Sequence, residues 1–379
     1  MRRVILVRPR AEGGLLAHVR DEARVLAQSG VHVVDAGEAP CFDDATSHSA
    51  GPAVEHRHLA IASGASPLAA LRARANLRAI IREEHRSAQG EPPTVHAHGA
   101  RAGALTALAL IPGFRPRIRL VTTLHNRMPR TGVGAVIGRA LFTLASRRSD
   151  FVLAVSPDLA DAARASGARA VQRALIPAAR PANCGPLRAF DGDVLEVLCV
   201  ARLAPQKDLA CLCEAVRLVE EQYPGSLRVK VAGEGPERAR LEEFIEKYDL
   251  PVELLGRVED IRALMREAHV VVQTSAWEGQ PVAIQEAIGE GAAIIATDAG
   301  GTRWVTGERI PLVAPANARE LAERLIAFVP GHPGSEERLD ELRAASRARA
   351  AELPTEEDLI AQLESALFTF TDDEENQHS

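Results

Sequence analysis

One stretch, residues 268–301 reading AHVVVQTSAWEGQPVAIQEAIGEGAAIIATDAGG, narrows the folds open to this chain more than any other. Residues 269–273 are an apolar, β-branched run of the length of a buried parallel strand, and residues 274–279 are a polar turn. From Pro281, which suits the first position of a helix, Ala283, Ile284, Ala287 and Ile288 recur at helical spacing. Residues 293–296 then repeat the strand signal. Parallel strands joined through helices require an α/β fold with both sheet faces covered. The same order fixes where chemistry can sit. Glu278 falls at the carboxyl end of a strand, Glu286 lies about a turn and a half into the helix, and the helix start at Gly279, Pro281 and Val282 offers backbone N–H groups between them. Two carboxylates flanking an anion site suit a nucleotide sugar. The diphosphate meets the helix dipole, and each glutamate accepts hydrogen bonds from neutral hydroxyls.

With 379 residues and 46% apolar content the chain is large enough for two cores, and no apolar run reaches the length of a membrane span. The start Met1-Arg-Arg-Val-Ile-Leu-Val is too short and polar-flanked for a signal peptide, so a cytoplasmic chain is expected. The five cysteines, Cys41, Cys184, Cys199, Cys211 and Cys213, show no Cys-x-x-Cys spacing, which points to reduced thiols rather than disulfides or zinc. Charge is more informative. Residues 1–185 hold 25 arginines and 14 acidic residues, a balance of +11, and the remainder carries −17 of the net −6. Electrically opposite halves support two domains and an anionic partner for the first. With 3% aromatic residues and no nucleic-acid-binding motif, a membrane surface or an anionic acceptor fits better than nucleic acid.

In the first half, residues 4–7 read as a strand, followed by Gly13 and Gly14 at the start of a helix with Leu15, Leu16, Val19, Ala23 and Leu26 on one face. The glycines permit either a tight turn or close backbone approach to a ligand. Further strands end at His98, Leu124 and Val155. His96 and His98 share one strand face; as a metal pair they lack a third ligand nearby in sequence, so a structural or substrate hydrogen bond is the favoured reading. Between strands, Arg74, Arg78, Arg82 and Arg86 form one helical stripe. It reads either as a solvated face or as a peripheral contact with anionic lipid at the inner face of a membrane. Arg115, Arg117 and Arg119 and the Gly-rich segment 127–138, expected as a loop, add positive charge. Pro177, Pro181, Gly185 and Pro186 break regular structure and mark a hinge.

In the second half the strand 195–200 runs into a loop carrying Arg202 and Lys207 beside a helix start. Two cations and a helix dipole can neutralise a departing nucleoside diphosphate without a metal ion. The chain has 42 arginines and only three lysines, so Lys207 is not a random draw from a lysine-rich surface. Gly233 and Gly235 follow the next strand, Arg257 and Val258 the one after, and Thr297 to Gly301 the last of the stretch described first. Residues 355–370 read as an amphipathic helix, and the acidic tail with Asp372 to Glu375 as disordered.

Taken together these segments resemble the retaining glycosyltransferases of family 4. The Glu278 to Glu286 spacing is similar to the family's Glu-x7-Glu signature. GGLLAHVRDEARVLAQSGVHVV resembles its opening, VHAHG, TTLHN and LAVSPDLA its strand ends, and VARLAPQKDLACLCEAV its phosphate loop. The resemblance covers most of residues 3–325. It implies an α/β, GT-B architecture of two Rossmann-like doubly wound domains facing a central cleft. An acceptor domain would span 1–185, a donor domain 186–354, a helix crossing back to the first domain 355–370, and a tail 371–379. It also implies roles. Arg202 and Lys207 stabilise the leaving diphosphate, Glu286 holds the ribose and Glu278 the sugar hydroxyls. Gly233 and Gly235 lie beside the nucleotide, Arg257 and Val258 edge the base, and His125 faces the transferred sugar. Gly13 and Gly14 contact the donor phosphate or the acceptor. No cofactor or metal is required; the partners are a nucleotide-sugar donor, of the UDP type from the Trp-Glu-Gly-x-Pro form, and an acceptor that is anionic or lipid-linked. Asn126 stands where the family has Asp, Asp208 where it has Gly, and Arg303-Trp304 where it has Pro-Glu. The alternatives on the same fold are a nucleotide-sugar 2-epimerase and a non-catalytic partner protein.

Overall fold

A computed structural model of the chain describes residues 1–10, 13–42, 54–61, 66–88, 91–114, 117–128, 131–178, 185–190 and 193–369. The expectations placed on Arg115, Pro181, Cys184 and the tail 371–379 lie outside these residues. By internal packing the chain divides into Met1–Ile176 with Pro354–Ser379, and Pro177–Leu353.

In the first unit, strands β1 (Arg3–Val7), β2 (His32–Gly37), β3 (Glu55–His58), β4 (Thr94–His98), β5 (Leu120–Leu124), β6 (Phe151–Ala154) and β7 (Val171–Arg173) form, among the described residues, a seven-stranded sheet of order β3-β2-β1-β4-β5-β6-β7. Every pairing is parallel. Helices α1 (Gly14–Gln28), α2 (Pro67–Ser87), α3 (Ala100–Ala109), α4 (Gly132–Arg148) and α5 (Pro157–Ala165) follow β1, β3, β4, β5 and β6 in turn. β4 and β5 are buried along their whole length, as strands with covered faces must be. Edge strand β3, EHRH, has no apolar alternation and no sequence signal; its side chains stay partly exposed. The segment expected as a loop over 127–138 becomes α4 from Gly132, whose Val133 and Val136 are exposed.

The arginine stripe on α2 is not wholly a surface feature. Arg74 donates to the carbonyls of Leu108 and Ile111 at 2.9 and 2.8 Å, and Arg78 to those of Ala109 and Pro112. Leu108 and Ala109 are in the last turn of α3 and Ile111 and Pro112 follow just after it, so half of the stripe binds carbonyls at the end of a neighbouring helix, while Arg82 and Arg86 remain exposed.

In the second unit, β8 (Leu195–Val200), β9 (Leu227–Ala232), β10 (Val252–Gly256), β11 (Val270–Gln273), β12 (Ala293–Thr297) and β13 (Leu312–Val313) form a six-stranded sheet of order β10-β9-β8-β11-β12-β13, again parallel. The helices are α6 (Leu209–Gln222), α7 (Arg238–Tyr248), α8 (Ile261–Glu267), α9 (Val282–Glu290), α10 (Thr302–Thr306), α11 (Ala318–Ile326) and α12 (Ser335–Ala350). Side chains alternate across the sheet as the pleat dictates. Val270, Val272 and Ile295 enter one core cluster, and Val271, Ile294 and Ala296 the other. Helix α12 was not foreseen, because its apolar residues are sparse; it buries Leu339, Arg343 and Ser346. Pro281 stands one place before α9 as its N-cap rather than inside it.

Helix α13 (Glu356–Phe368) belongs to the first unit. It opens on a capping box between Thr355 and Asp358, and its carbonyls at Leu367 and Ala366 accept from Thr94 Oγ1 and Arg119 Nε. Cys41, Cys199, Cys211 and Cys213 are free thiols. No helix among the described residues is long and apolar enough to cross a membrane.

A buried ion pair locks β1 to β2. Arg8 donates to both oxygens of Asp35, at 2.7 and 2.8 Å, and the Cys41 N–H donates to Asp35 as well. Burial alone would raise the Asp35 carboxyl; the Arg8 bonds and charge outweigh it and hold the pKa below the usual range. A carboxyl depressed in the folded state adds stability above its unfolded pKa, and that contribution disappears as pH falls through the folded value. Asp35→Asn, which strands Arg8 in the interior, is expected to cost about 3–5 kcal/mol at pH 7. In urea unfolding the gap to wild type should narrow as pH drops through the acid range; a gap independent of pH would contradict the assignment.

Candidate active site

In the second sheet the chain leaves β8 toward β9 on one side and meets β11 on the other, so β8 and β11 flank the point where strand order reverses. Ligands of open α/β sheets bind outside the carboxyl ends of the strands at such a point. The loops after β10, β9, β8 and β11, four neighbouring strands, carry Arg257 and Val258, Gly233 and Gly235, Arg202 and Lys207, and Glu278 in turn.

The loops after β8 and β11 are stitched together. Ala276 N–H donates to the Gln206 carbonyl at 2.9 Å, Gln206 Nε2 to the Trp277 carbonyl at 2.8 Å, and Thr274 Oγ1 to the Lys207 carbonyl at 2.9 Å. A 3-10 turn at Pro205–Lys207 leads to Asp208 at φ 47°, ψ 48°, a left-handed conformation that glycine adopts without cost. Lys207 Nζ thereby reaches Glu278 and forms an ion pair with Oε1. Ser275 Oγ donates to the same carboxylate at 2.6 Å, and Glu278 is 6% exposed. Lys207 and Glu278, expected to serve different parts of a donor, thus hold each other.

Glycines allow the loops to approach. A Cβ at Gly233 would lie 2.0 Å from the Ala201 carbonyl oxygen, and one at Gly235 would lie 2.3 Å from that of Leu203. Gly300, at φ +59°, fits under the loop. Its Cβ would meet the Glu278 carbonyl oxygen at 2.1 Å, and the next residue, Gly301, donates its N–H to that oxygen at 3.0 Å.

Helix α9 begins without a side-chain cap, so its first N–H groups are open to a ligand. Glu286 on α9 is half-buried. Burial pushes its carboxyl up, against Arg262 and with Glu290. Arg202 and Arg257 are exposed, and Val258 packs against the core beneath. Arg303 pairs with Asp298 and Glu308. The sequence reading missed Ser275, Gln206 and Thr274, whose part is to fix the two loops.

In the first unit, Gly13 caps α1 at φ 59° and Gly14 opens the helix; both are exposed. The ends of β4 and β5 meet α1 at a cluster of His18, Glu22, His96, His98 and His125. His18 Nε2 lies 2.9 Å from Glu22, His98 Nδ1 lies 3.2 Å from His125 Nε2, and His96 Nε2 bonds Thr123 Oγ1 at 2.7 Å. Burial pushes the His96 imidazole down to about 3 and, together with His98 and His18, holds half-buried His125 well below its ordinary range. His125 is therefore a neutral ring at physiological pH. Burial opposes the charge on His18 as well, but the Glu22 carboxylate overrides it and raises His18. Glu22 and His18 escaped the sequence reading although both sit, four residues apart, on the apolar stripe of α1 with Val19, Ala23 and Leu26.

Residues 195–329 match the family described as Glycosyl transferases group 1, and residues 12–178 match Glycosyltransferase Family 4. The chain belongs to this group 1/family 4 class of glycosyltransferases, with the GT-B fold. Over 237 residues, 61% of this chain and 49% of the relative, it is 27% identical to one of the subunits of human phosphatidylinositol N-acetylglucosaminyltransferase. It is 35% identical over 146 residues, 35% of this chain and 36% of the relative, to the putative colanic acid biosynthesis glycosyltransferase WcaL of Escherichia coli K12. The chain spans about half or less of the length of these curated relatives. The crystal structure of Anabaena HepE in complex with UDP and glucose is similar in fold, with a TM-score of 0.73 over 98% of this chain and 100% of that one at 19% identity.

Gly300→Ala is expected to destabilise by about 2–4 kcal/mol, from a left-handed non-glycine residue plus a backbone clash at Glu278. Urea unfolding measures it, and a change within experimental error would show that the loop is not held as described.

Proposed function

We propose that this chain is a retaining glycosyltransferase that moves a sugar from a nucleotide-diphosphate sugar, a UDP-sugar, to a hydroxyl of an anionic or lipid-linked acceptor, with no metal at the diphosphate. The observation that carries this reading is the meeting of Lys207, Glu278 and the uncapped start of α9 at the β8/β11 reversal. A preformed Lys–Glu couple beside a helix N-terminus holds one group for an anion and one for hydroxyls, each satisfied by the other until the donor arrives. Glu286, partly stripped of water, takes the vicinal hydroxyls of a ribose as the partners that restore its solvation. UDP and glucose in a neighbour of the same fold support the donor class. The arginine excess of residues 1–185 supports an anionic acceptor.

In the reaction the anomeric carbon–oxygen bond to the diphosphate breaks and a bond to the acceptor oxygen forms on the face just vacated. The acceptor proton passes to the departing diphosphate oxygen. Lys207, Arg202 and the α9 dipole meet the charge that grows there, where it is worth most. Glu278 orients the sugar hydroxyls, and His125, a neutral imidazole at the end of β5, is assigned to the transferred sugar. Gly13 and Gly14 are assigned to phosphate or acceptor contact, Gly233 and Gly235 to the nucleotide, and Arg257 and Val258 to the base.

Lys207→Ala is expected to lower turnover of a UDP-sugar by about 10²–10³-fold in protein shown by circular dichroism to be folded at the assay temperature. A thermal-shift panel of UDP, GDP and ADP should favour UDP, with a stabilisation of about 2.7 kcal/mol at a hundredfold its Kd. Turnover preserved in Lys207→Ala would contradict the assignment, and a C2-epimerised donor formed without acceptor would replace transfer by epimerisation.

A further inference from the structure

The first unit buries a set of ligating atoms that hydrogen bonding does not account for. We propose that Glu22, His96 and His98 form a binding site for a divalent first-row cation, zinc above others, through Glu22 Oε2, His96 Nδ1 and His98 Nε2. This goes beyond the transfer reaction and does not rest on it.

All three side chains are at most 1% exposed. Glu22 Oε2 lies 3.1 Å from His98 Nε2 and 3.4 Å from His96 Nδ1, yet none of these atoms has a hydrogen-bond partner among the described residues. They are near enough to bond but do not point along bonds. Tetrahedral zinc, with bonds of roughly 2.0–2.1 Å, holds its ligand atoms about 3.3 Å apart. The two carboxylate–imidazole spacings here are close to that, and all three ligand atoms lie within 4.8 Å of one another. Ligand atoms aimed at a common centre, rather than at each other, explain both the short distances and the missing bonds.

The far side of both imidazoles is hydrogen-bonded. His96 Nε2 bonds Thr123 Oγ1 at 2.7 Å and His98 Nδ1 meets His125 Nε2 at 3.2 Å, while Glu22 Oε1 lies 2.9 Å from His18 Nε2 without a hydrogen bond between them. Outer partners of this kind fix the tautomer and orientation of metal ligands. In the tautomer that carries its proton on the outer nitrogen, each imidazole turns a lone pair toward the carboxylate oxygen in the interior. Such an arrangement repels itself unless a cation lies between. Two imidazole nitrogens and one carboxylate oxygen are a set that zinc accepts, with a fourth position for water. The ligands join α1 to β4, so the ion would staple the first helix to the sheet.

The test is metal analysis of the full chain, purified without a histidine tag from zinc-supplemented medium and dialysed against metal-free buffer. One zinc per chain is expected by mass spectrometry, along with a higher unfolding midpoint when zinc is returned to the chelator-stripped chain. Cobalt loaded in its place should give the visible absorption of nitrogen and oxygen ligation. Glu22→Gln and His96→Gln should lose both the bound zinc and the cobalt bands. Wild type that retains no zinc and shows no midpoint shift overturns the proposal, and this reading needs no variant to fold. Equal zinc in wild type and a folded Glu22→Gln places binding elsewhere and overturns it too.

Discussion

The chemistry of the second unit depends on β8 lying directly beside β11, in register from Val197 against Val270 to Cys199 against Val272. That single parallel pairing brings two loops, distant in sequence, to one sheet edge. The loops then bond to each other, Ala276 N–H to the Gln206 carbonyl and the Gln206 and Thr274 side chains to the Trp277 and Lys207 carbonyls. Lys207 and Glu278 meet as a consequence. Ser275 helps to orient Glu278 within its own loop, but the couple itself is assembled by the sheet.

Such a couple is suited to a ligand with two different ends. An ion pair at the mouth of a helix dipole gives each member a partner while the site is unliganded. On the proposed reading, a diphosphate would compete for the lysine and sugar hydroxyls for the carboxylate. Glycines at 233, 235 and 300 are the steric counterpart, because side chains there would push the loops apart. Asp208 sits in the left-handed region, at φ 47°, where glycine would stand without cost.

Much of this was legible in the sequence. The apolar, β-branched run of residues 269–273, the proline at the start of α9 and the glycines after strands announced parallel α/β units and their strand ends. What stayed hidden depended on partners far along the chain. Lys207 and Glu278 are 71 residues apart, and the sequence assigned them separate tasks without showing that they bond. His96 and His98 lacked a nearby third ligand because Glu22 arrives from α1 by packing. Glu22 and His18 did break the apolar stripe of that helix, a signal that reading only its hydrophobic members passes over. Arg74 and Arg78 looked like surface charge; the end of α3, which no local pattern reveals, takes them as caps. β3 gave no signal because an edge strand need not alternate.

The claim that the Lys207–Glu278 couple is exchanged for the two ends of the donor is tested most directly by calorimetric titration. UDP and a UDP-sugar are each titrated into wild type, Lys207→Ala and Glu278→Gln. Lys207→Ala should weaken both ligands by about tenfold or more, as expected for a lost charge-assisted bond. Glu278→Gln should weaken only the UDP-sugar and leave UDP as tight or tighter, because the lysine is released from its partner. Equal loss of UDP affinity in both variants, with no extra loss for the sugar-bearing ligand, would contradict the account.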